Sequence, residues 1–201
     1  MGSYDSINYL LRPSKQIERK IFIETLLRLS KLDYHINEYT YLGMGSIHYA
    51  DFILFHKYLM IDELICVEED EIPNRMEFNK PYDFIKLHCP KSIGDYISSL
   101  DENKPFFVWL DYDNYLSENE LSDTRSLIHK LKPGSILTLT IQADPINLNK
   151  LVDQNEWNNL SYEDKGRRKL ERVRELIGKY LSDEIMPVDL GFNNLPKLYS
   201  K

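Results

Sequence analysis

The sequence predicts a doubly wound α/β fold, a mostly parallel sheet with helices on both faces, carrying helical N- and C-terminal extensions. Three observations carry that expectation. Short runs of strand character alternate with longer segments of helical periodicity between residues 39 and 141. Alternation of this kind requires crossover connections, and crossovers make parallel strands. Two of the runs, Leu64-Ile65-Cys66-Val67 and Phe106-Phe107-Val108-Trp109-Leu110, are apolar without a break, as strands covered on both faces are. A glycine pair in Gly43-Met44-Gly45 directly follows the first run and precedes a helical one.

The elements follow in order. Between residues 14 and 32, behind Pro13-Ser14, the residues Ile17, Ile21, Leu27 and Leu29 recur with Phe22, Ile23 and Leu26 at helical spacing. This predicts an amphipathic helix packed at one end of the sheet. Tyr39-Thr40-Tyr41-Leu42 is rich in β-formers and stops at Gly43, as a strand entering a tight turn does. A helix is predicted over 49–59 and a strand over 63–68; a helix over 73–78, a strand over 82–87 and a helix over 93–100 follow. Pro105 to Leu110 is the most strand-like segment and closes on Asp111; a helix over 118–131, the Lys132-Pro133-Gly134 turn and a strand over 135–141 complete the sheet. From residue 144 the chain reads as mainly helical, above all over 162–181, where Leu170, Val173, Leu176, Ile177 and Leu181 form one stripe.

With 201 residues, 42% of them hydrophobic, one domain is expected over 1–201. It comprises a helical segment (1–35), a Rossmann-like core (36–143) and a helical extension (144–201). The net charge of −7 argues against a broad nucleic-acid surface, because such surfaces neutralise phosphates with Lys and Arg. Two local basic clusters, Arg12-Lys15-Arg19-Lys20 and Lys165-Arg167-Arg168-Lys169-Arg172-Arg174, are interleaved with Glu18, Glu24, Glu171 and Glu175 at pair spacing. They read as solvated helix faces, with Arg12 or Lys15 available to an anionic acceptor. No apolar run reaches the roughly 18 to 20 residues of a membrane span, and Met1-Gly2-Ser3-Tyr4-Asp5 lacks the features of a secretory leader. A cytoplasmic protein with Cys66 and Cys89 reduced is expected.

Ligands of a doubly wound sheet bind beyond the carboxyl ends of its strands, so the residues following each strand are the candidates. After the first come Gly43, Met44, Gly45 and Ser46, a turn suited to close backbone approach. After the second come Glu68, with Glu69 and Asp70 beside it; a carboxylate 25 residues past Gly43 can accept hydrogen bonds from ribose hydroxyls. After the third comes His88-Cys89-Pro90-Lys91-Ser92, and after the fourth Asp111-Tyr112-Asp113-Asn114-Tyr115. A carboxylate at 111 can orient an amine, act as a base or hold a divalent cation.

The runs Tyr41-Leu42-Gly43-Met44-Gly45, Val67-Glu68, Phe107-Val108-Trp109-Leu110-Asp111 and Leu131-Lys132-Pro133-Gly134-Ser135-Ile136-Leu137 stand in this order. Together, over residues 36–143, they resemble the motifs of class I S-adenosylmethionine (SAM) dependent methyltransferases, O-methyltransferases in particular. That resemblance implies a SAM site in which Gly43, Met44, Gly45 and Ser46 pass close to the cofactor. Glu68, with Glu69 beside it, holds the ribose; the loop carrying Cys89 borders adenine; Asp111 lies near the methionine end as the central catalytic residue. His48, Asp51 and Tyr112 are further candidates for acceptor contact. Phe107 to Tyr115 is also similar to cation-dependent O-methyltransferases, which would make Asp111 a metal ligand with Asp144 as its partner. The acceptor is expected to be a small molecule or nucleotide.

The sequence departs from the family pattern at three points. Tyr41 and Leu42 stand where an acid commonly leads the first motif, the third glycine is replaced within Ser46-Ile47-His48, and the 58 residues after Ala143 suggest a shortened or missing terminal hairpin. No Asp-Pro-Pro-Tyr type motif of amino-group methyltransferases is present. The alternative to an enzyme is a silent nucleoside-binding or interaction module, with Tyr49, Tyr112, Tyr115 and Phe192 as its partner surface. A nicotinamide dinucleotide site would want a glycine at 48, where the chain has histidine.

Overall fold

A computed structural model describes residues 12–69, 72–112, 117–141 and 154–180. Five strands form one all-parallel sheet: β1 (Thr40–Gly43), β2 (Glu63–Val67), β3 (Lys86–His88), β4 (Phe106–Asp111) and β5 (Ile136–Thr140). Their spatial order is β3-β2-β1-β4-β5. The chain therefore steps outward from β1 to β3 through α2 (Ala50–Leu59) and α3 (Pro73–Asn79), then returns past β2 and β1 to β4 through α4 (Ile93–Ile97). Right-handed crossovers running in opposite directions put their helices on opposite faces, which makes the sheet doubly wound. The reversal falls between β1 and β4, which pair directly with Gly43 opposite Trp109.

By its contacts the chain divides into two units, Met1–Asp111 with Leu127–Leu139, and Tyr112–Ser126 with Thr140–Lys201. In the first, β4 pairs with β1 in the middle of the sheet and its residues Phe106 to Leu110 are all buried. One face of the core is aromatic: Tyr41 packs on Phe52, Phe55 and Phe107 at centroid distances of 4.9, 4.8 and 5.3 Å. Phe22 of α1 (Pro13–Leu29) adds to it, meeting Trp109 edge-on at 4.8 Å. In the second unit, α6 (Gln154–Asn158) and α7 (Tyr162–Tyr180) follow one another. The α5 helix (Glu118–Lys130) begins in this unit, and its Glu118 pairs with Lys179 of α7 at 3.2 Å. Arg168 pairs with Glu175 and Glu171 at 3.2 and 3.7 Å, as the charge spacing predicts.

Among the described residues element order and type match the expectation, and the differences are local. The third strand is shorter and later than 82–87, because Ile85 N–H donates to Tyr82 O in a turn that takes those residues out of the ladder. Tyr82 and Phe84 stack on each other instead, 5.1 Å apart and nearly parallel. The helix expected over 93–100 stops at Ile97, where turns close from Ser99 to Tyr96 and from Leu100 to Ile97. The terminal hairpin question, the side chains of the 170–181 stripe, and residues Asp113, Asn114, Tyr115, Asp144 and Phe192 all lie outside what is described.

The first helix corrects the sequence reading more substantially. Pro13 starts it at a position where the missing N–H is harmless, but its buried face is Lys15, Arg19 and Leu26 with Phe22 beside them. Ile17 and Ile21, expected inside, are 59% and 56% exposed. Lys15 and Arg19, expected on a solvated face, are 9% and 4% exposed. The spacing 15-19-22-26 is itself a helical stripe, and its two cations are drawn in by carboxylates on the sheet and on α2.

Two substitutions test this packing by urea denaturation. Phe107→Ala removes a ring at the centre of the aromatic face and is expected to cost about 3–5 kcal/mol. Ile17→Ala is expected to change stability by less than about 0.5 kcal/mol; a loss like that of Phe107→Ala would mean that α1 faces the other way.

Candidate functional site

At the carboxyl end of β1 the chain makes an unusual descent into α2. Ser46 has φ 43° and Tyr49 φ 48°, two non-glycine residues in the left-handed region, the one opening and the other following a single 3-10 turn, Ser46–His48. Each such residue costs of order 1–3 kcal/mol and persists only where its surroundings hold it. Tyr49 is held: it is fully buried, its hydroxyl donates to Met76 O at 3.1 Å, and its ring meets Phe52. Along the turn, burial alternates. Gly43, Gly45 and Ile47 are buried, whereas Met44, Ser46 and His48 are half-buried.

The glycines are required by internal packing. A Cβ on Gly43 would overlap the Tyr41 hydroxyl, and one on Gly45 would lie 2.7 Å from Cys66 Sγ and 3.1 Å from the Phe52 and Tyr49 rings. Their absent side chains make room for Tyr41 below β1 and for Cys66 on β2. Burial, then the charge of Glu68, pushes the Cys66 thiol well above its usual range.

Glu68 follows β2, and Ser46 N–H donates to its Oε2 at 3.2 Å. The turn after β1 and the acid after β2 are therefore in contact. The loop after β3 joins them through the backbone: Glu68 N–H donates to His88 O at 3.0 Å, and Lys91 N–H donates to Glu68 O at 2.8 Å. Glu69 is exposed beside this knot and Cys89 is half-buried within the loop. Gly43 to Ser46, Glu68 and the segment carrying Cys89 thus form one continuous rim along β1, β2 and β3.

Asp111, the last residue of β4, lies on a separate arrangement. Its carboxylate is bonded by the Lys15 ammonium of α1, which also pairs with Glu18 at 3.0 Å and stands 5.4 Å from the centroid of the Trp109 ring. One turn further along α1, Arg19 pairs with Asp51 of α2 at 3.4 Å, and the Tyr41 hydroxyl donates to the other Asp51 oxygen at 2.8 Å. Burial pushes the Asp111 carboxyl up, and the Lys15 hydrogen bond opposes it; burial likewise raises Asp51, with Arg19 and Tyr41 opposing. Asp51, named from the sequence for acceptor contact, is 6% exposed and committed to this network. The hydroxyl of Tyr112 donates to Asp123 at 3.1 Å.

The residues present fit an adenosyl ligand at the rim, where a carboxylate stands beside backbone amides at the ends of parallel strands. Among the described residues they offer no divalent-cation site on Asp111. An ammonium occupies that carboxylate, and among the described residues no group of three or more His, Cys, Asp or Glu is arranged to hold a metal ion.

Sequence reasoning named Lys15 and Arg19 only as solvated cations, with Lys15 open to an anionic acceptor, and missed their pairing with Asp111 and Asp51 and the Tyr41–Asp51 bond. Two signals pointed to them. Tyr41 stands at the position of the missing motif acid, and Asp51 is an acid at the start of the apolar helix Ala50–Leu59.

A family model described as "Putative O-methyltransferase" matches residues 7–201. Comparison with curated proteins and with solved structures gives no match.

Two outcomes test this geometry. Gly45→Ala has no space against Cys66 and is expected to cost about 1–3 kcal/mol in chemical denaturation. Asp51 is an acid raised by burial, so the folded state holds its proton to higher pH than the unfolded chain does. Wild type should therefore gain stability relative to Asp51→Asn as pH falls from neutral through the raised carboxyl range, the reverse of an ordinary ion-paired carboxylate. Melting temperatures of the two proteins across that range measure it; a difference that grows in the other direction would contradict the burial.

Proposed function

The chain belongs to this O-methyltransferase family and is a SAM-dependent methyltransferase, and we propose that it binds SAM on the rim formed by Gly43 to Ser46, Glu68 and the loop carrying Cys89. The acceptor we propose is a hydroxyl of a small molecule or nucleotide. The single observation supporting the location is the Ser46 N–H to Glu68 bond, which joins the turn and the acid in one place.

When bound, the cofactor supplies an electrophilic methyl on a sulfonium sulfur. What the chain contributes is position and charge. Glu68 has a carboxylate suited to the two ribose hydroxyls, and its register is fixed by Ser46 at its side chain and by His88 and Lys91 at its backbone. Met44, Ser46 and His48, the half-buried residues of the turn, border the cofactor, while buried Gly43 and Gly45 keep the turn tight against β1 and β2. The left-handed backbone at Ser46 and Tyr49 belongs to this role, since strain of that kind concentrates where a ligand dictates the path of the chain. Asp111, at the neighbouring strand end, is assigned to the methionine end. In this role its half-buried carboxylate, already shared with Lys15, would accept from the α-ammonium. Transfer needs the acceptor oxygen in line with the methyl at about 3–3.5 Å and a route for the hydroxyl proton.

Calorimetric titration with S-adenosylhomocysteine tests the assignment. Wild type is expected to bind, and Glu68→Ala to bind at least about tenfold more weakly, roughly 1.4 kcal/mol, with a native circular dichroism spectrum. No heat from wild type at millimolar ligand would remove the cofactor reading, and equal affinity of the variant would remove Glu68 from the site.

A further inference from the structure

We infer that Lys15 is the resident cation of the site, holding on Asp111 the place that a divalent metal would take, so that cofactor binding is metal-independent; this rests on the proposed SAM site. The inference starts from where the ammonium is. Lys15 sits on the first turn of α1, its side chain 11% exposed, and bonds Asp111 of β4 and Glu18 one turn along its own helix. Its charge stands near the Trp109 ring, and Phe22 of the same helix packs on that ring at 4.8 Å. The helix carrying the cation is thus anchored to the strand carrying the acid. The arrangement is built into the core of the first unit, unlike a surface pair whose long side chains are free to part.

A lysine ammonium is a compact point charge with three donors and can satisfy carboxylates much as a small cation does. A divalent ion on Asp111 needs carboxylate oxygens at about 2.0–2.6 Å, where the ammonium already bonded to Oδ1 competes for the carboxylate and repels a second cation. The choice also sets the charge of this strand edge. Among the described residues, the pairs Lys15–Asp111, Lys15–Glu18 and Arg19–Asp51 bring three carboxylates to two cations, a set with one net negative charge. A divalent ion in place of Lys15 would leave the edge neutral. An edge that stays negative matches a methionine end whose sulfonium, α-ammonium and α-carboxylate sum to one positive charge, and the Lys15 hydrogen bond opposes the rise that burial gives the half-buried Asp111 carboxyl. In this reading Lys15 is a positioning residue that acts through Asp111.

The test uses Mn2+ as probe, followed by the electron paramagnetic resonance of the free ion, and S-adenosylhomocysteine as ligand. Wild type is expected to leave the Mn2+ signal undiminished, Lys15→Met to take up Mn2+, and Lys15→Arg to restore exclusion, which loss of packing alone would not produce. Wild-type affinity for S-adenosylhomocysteine should agree within about twofold in EDTA and in Mg2+. Mn2+ uptake by wild type that is abolished in Asp111→Asn would overturn the inference. So would ligand binding that needs metal, or Mn2+ left free by folded Lys15→Met. Should Lys15→Met not fold by circular dichroism, Lys15→Gln replaces it, and the two wild-type arms decide in any case. Absence of S-adenosylhomocysteine binding would sink the proposed cofactor site, while the Mn2+ arm still reads Lys15 on its own.

Discussion

Two carboxylates withdrawn from water beside the switch point of the sheet, Asp51 buried and Asp111 half-buried, have to be neutralised, and most of the particular character of this structure follows from how that is done. Asp51 and Asp111 lie on α2 and at the end of β4, and both are raised by burial. Leaving such a charge unpaired costs several kcal/mol, and removing one partner of a buried pair typically costs about 3–5 kcal/mol. The first helix supplies both partners from one face, Lys15 to Asp111 and Arg19 to Asp51. Electrostatics and packing then agree, because the same face carries Phe22 and Leu26 into the aromatic core. The cost of this orientation is that Ile17 and Ile21 are left in solvent, an exposure of apolar surface worth less than two uncompensated buried charges.

Tyr41 links that network to the ligand rim. Its ring lies among Phe52, Phe55 and Phe107, its hydroxyl reaches Asp51, and the space above it exists because residue 43 is glycine. Burial and the adjacent carboxylate keep the Tyr41 hydroxyl protonated far above its ordinary range, so it acts as a fixed donor. An acid at position 41 would itself have to be neutralised there. With tyrosine in its place, the negative charge comes from α2 ten residues later, held by a donor on β1 and a cation on α1. Tyr41, standing where the class I methyltransferases that the sequence resembles commonly have an acid, thus has a carboxylate beside it from another element, Asp51 of α2, with its counter-ion on α1.

Much of the fold was legible because it depends on properties that each segment carries alone. Unbroken apolar runs at 64–67 and 106–110 had to be strands covered on both faces, and each is a buried strand near the sheet centre. The glycine turn, the acid 25 residues on and the loop after β3 were legible as a group, since strand ends in this topology converge, and the Ser46 to Glu68 bond and the Glu68 to Lys91 bond join them. The orientation of α1 was not legible. Two overlapping stripes, one apolar through Ile17 and Ile21 and one through Lys15, Arg19 and Leu26, both have helical spacing, and hydrophobicity alone selects the wrong one.

By itself, then, the sequence determined the order and kind of the elements, the parallel sheet and the turn at which a nucleoside would sit, because these follow from periodicity, glycine and chain direction, all local quantities. Only the tertiary structure decided that two lysine and arginine side chains are interior, that Gly43 and Gly45 make room for Tyr41 and Cys66, and that Asp111 is already bound to an ammonium. Apart from Gly43, whose constraint comes from Tyr41 two residues before it, each of those depends on a charge or volume contributed by a residue about twenty to nearly a hundred positions away, and Coulomb attraction and excluded volume act through space with no trace in the local pattern.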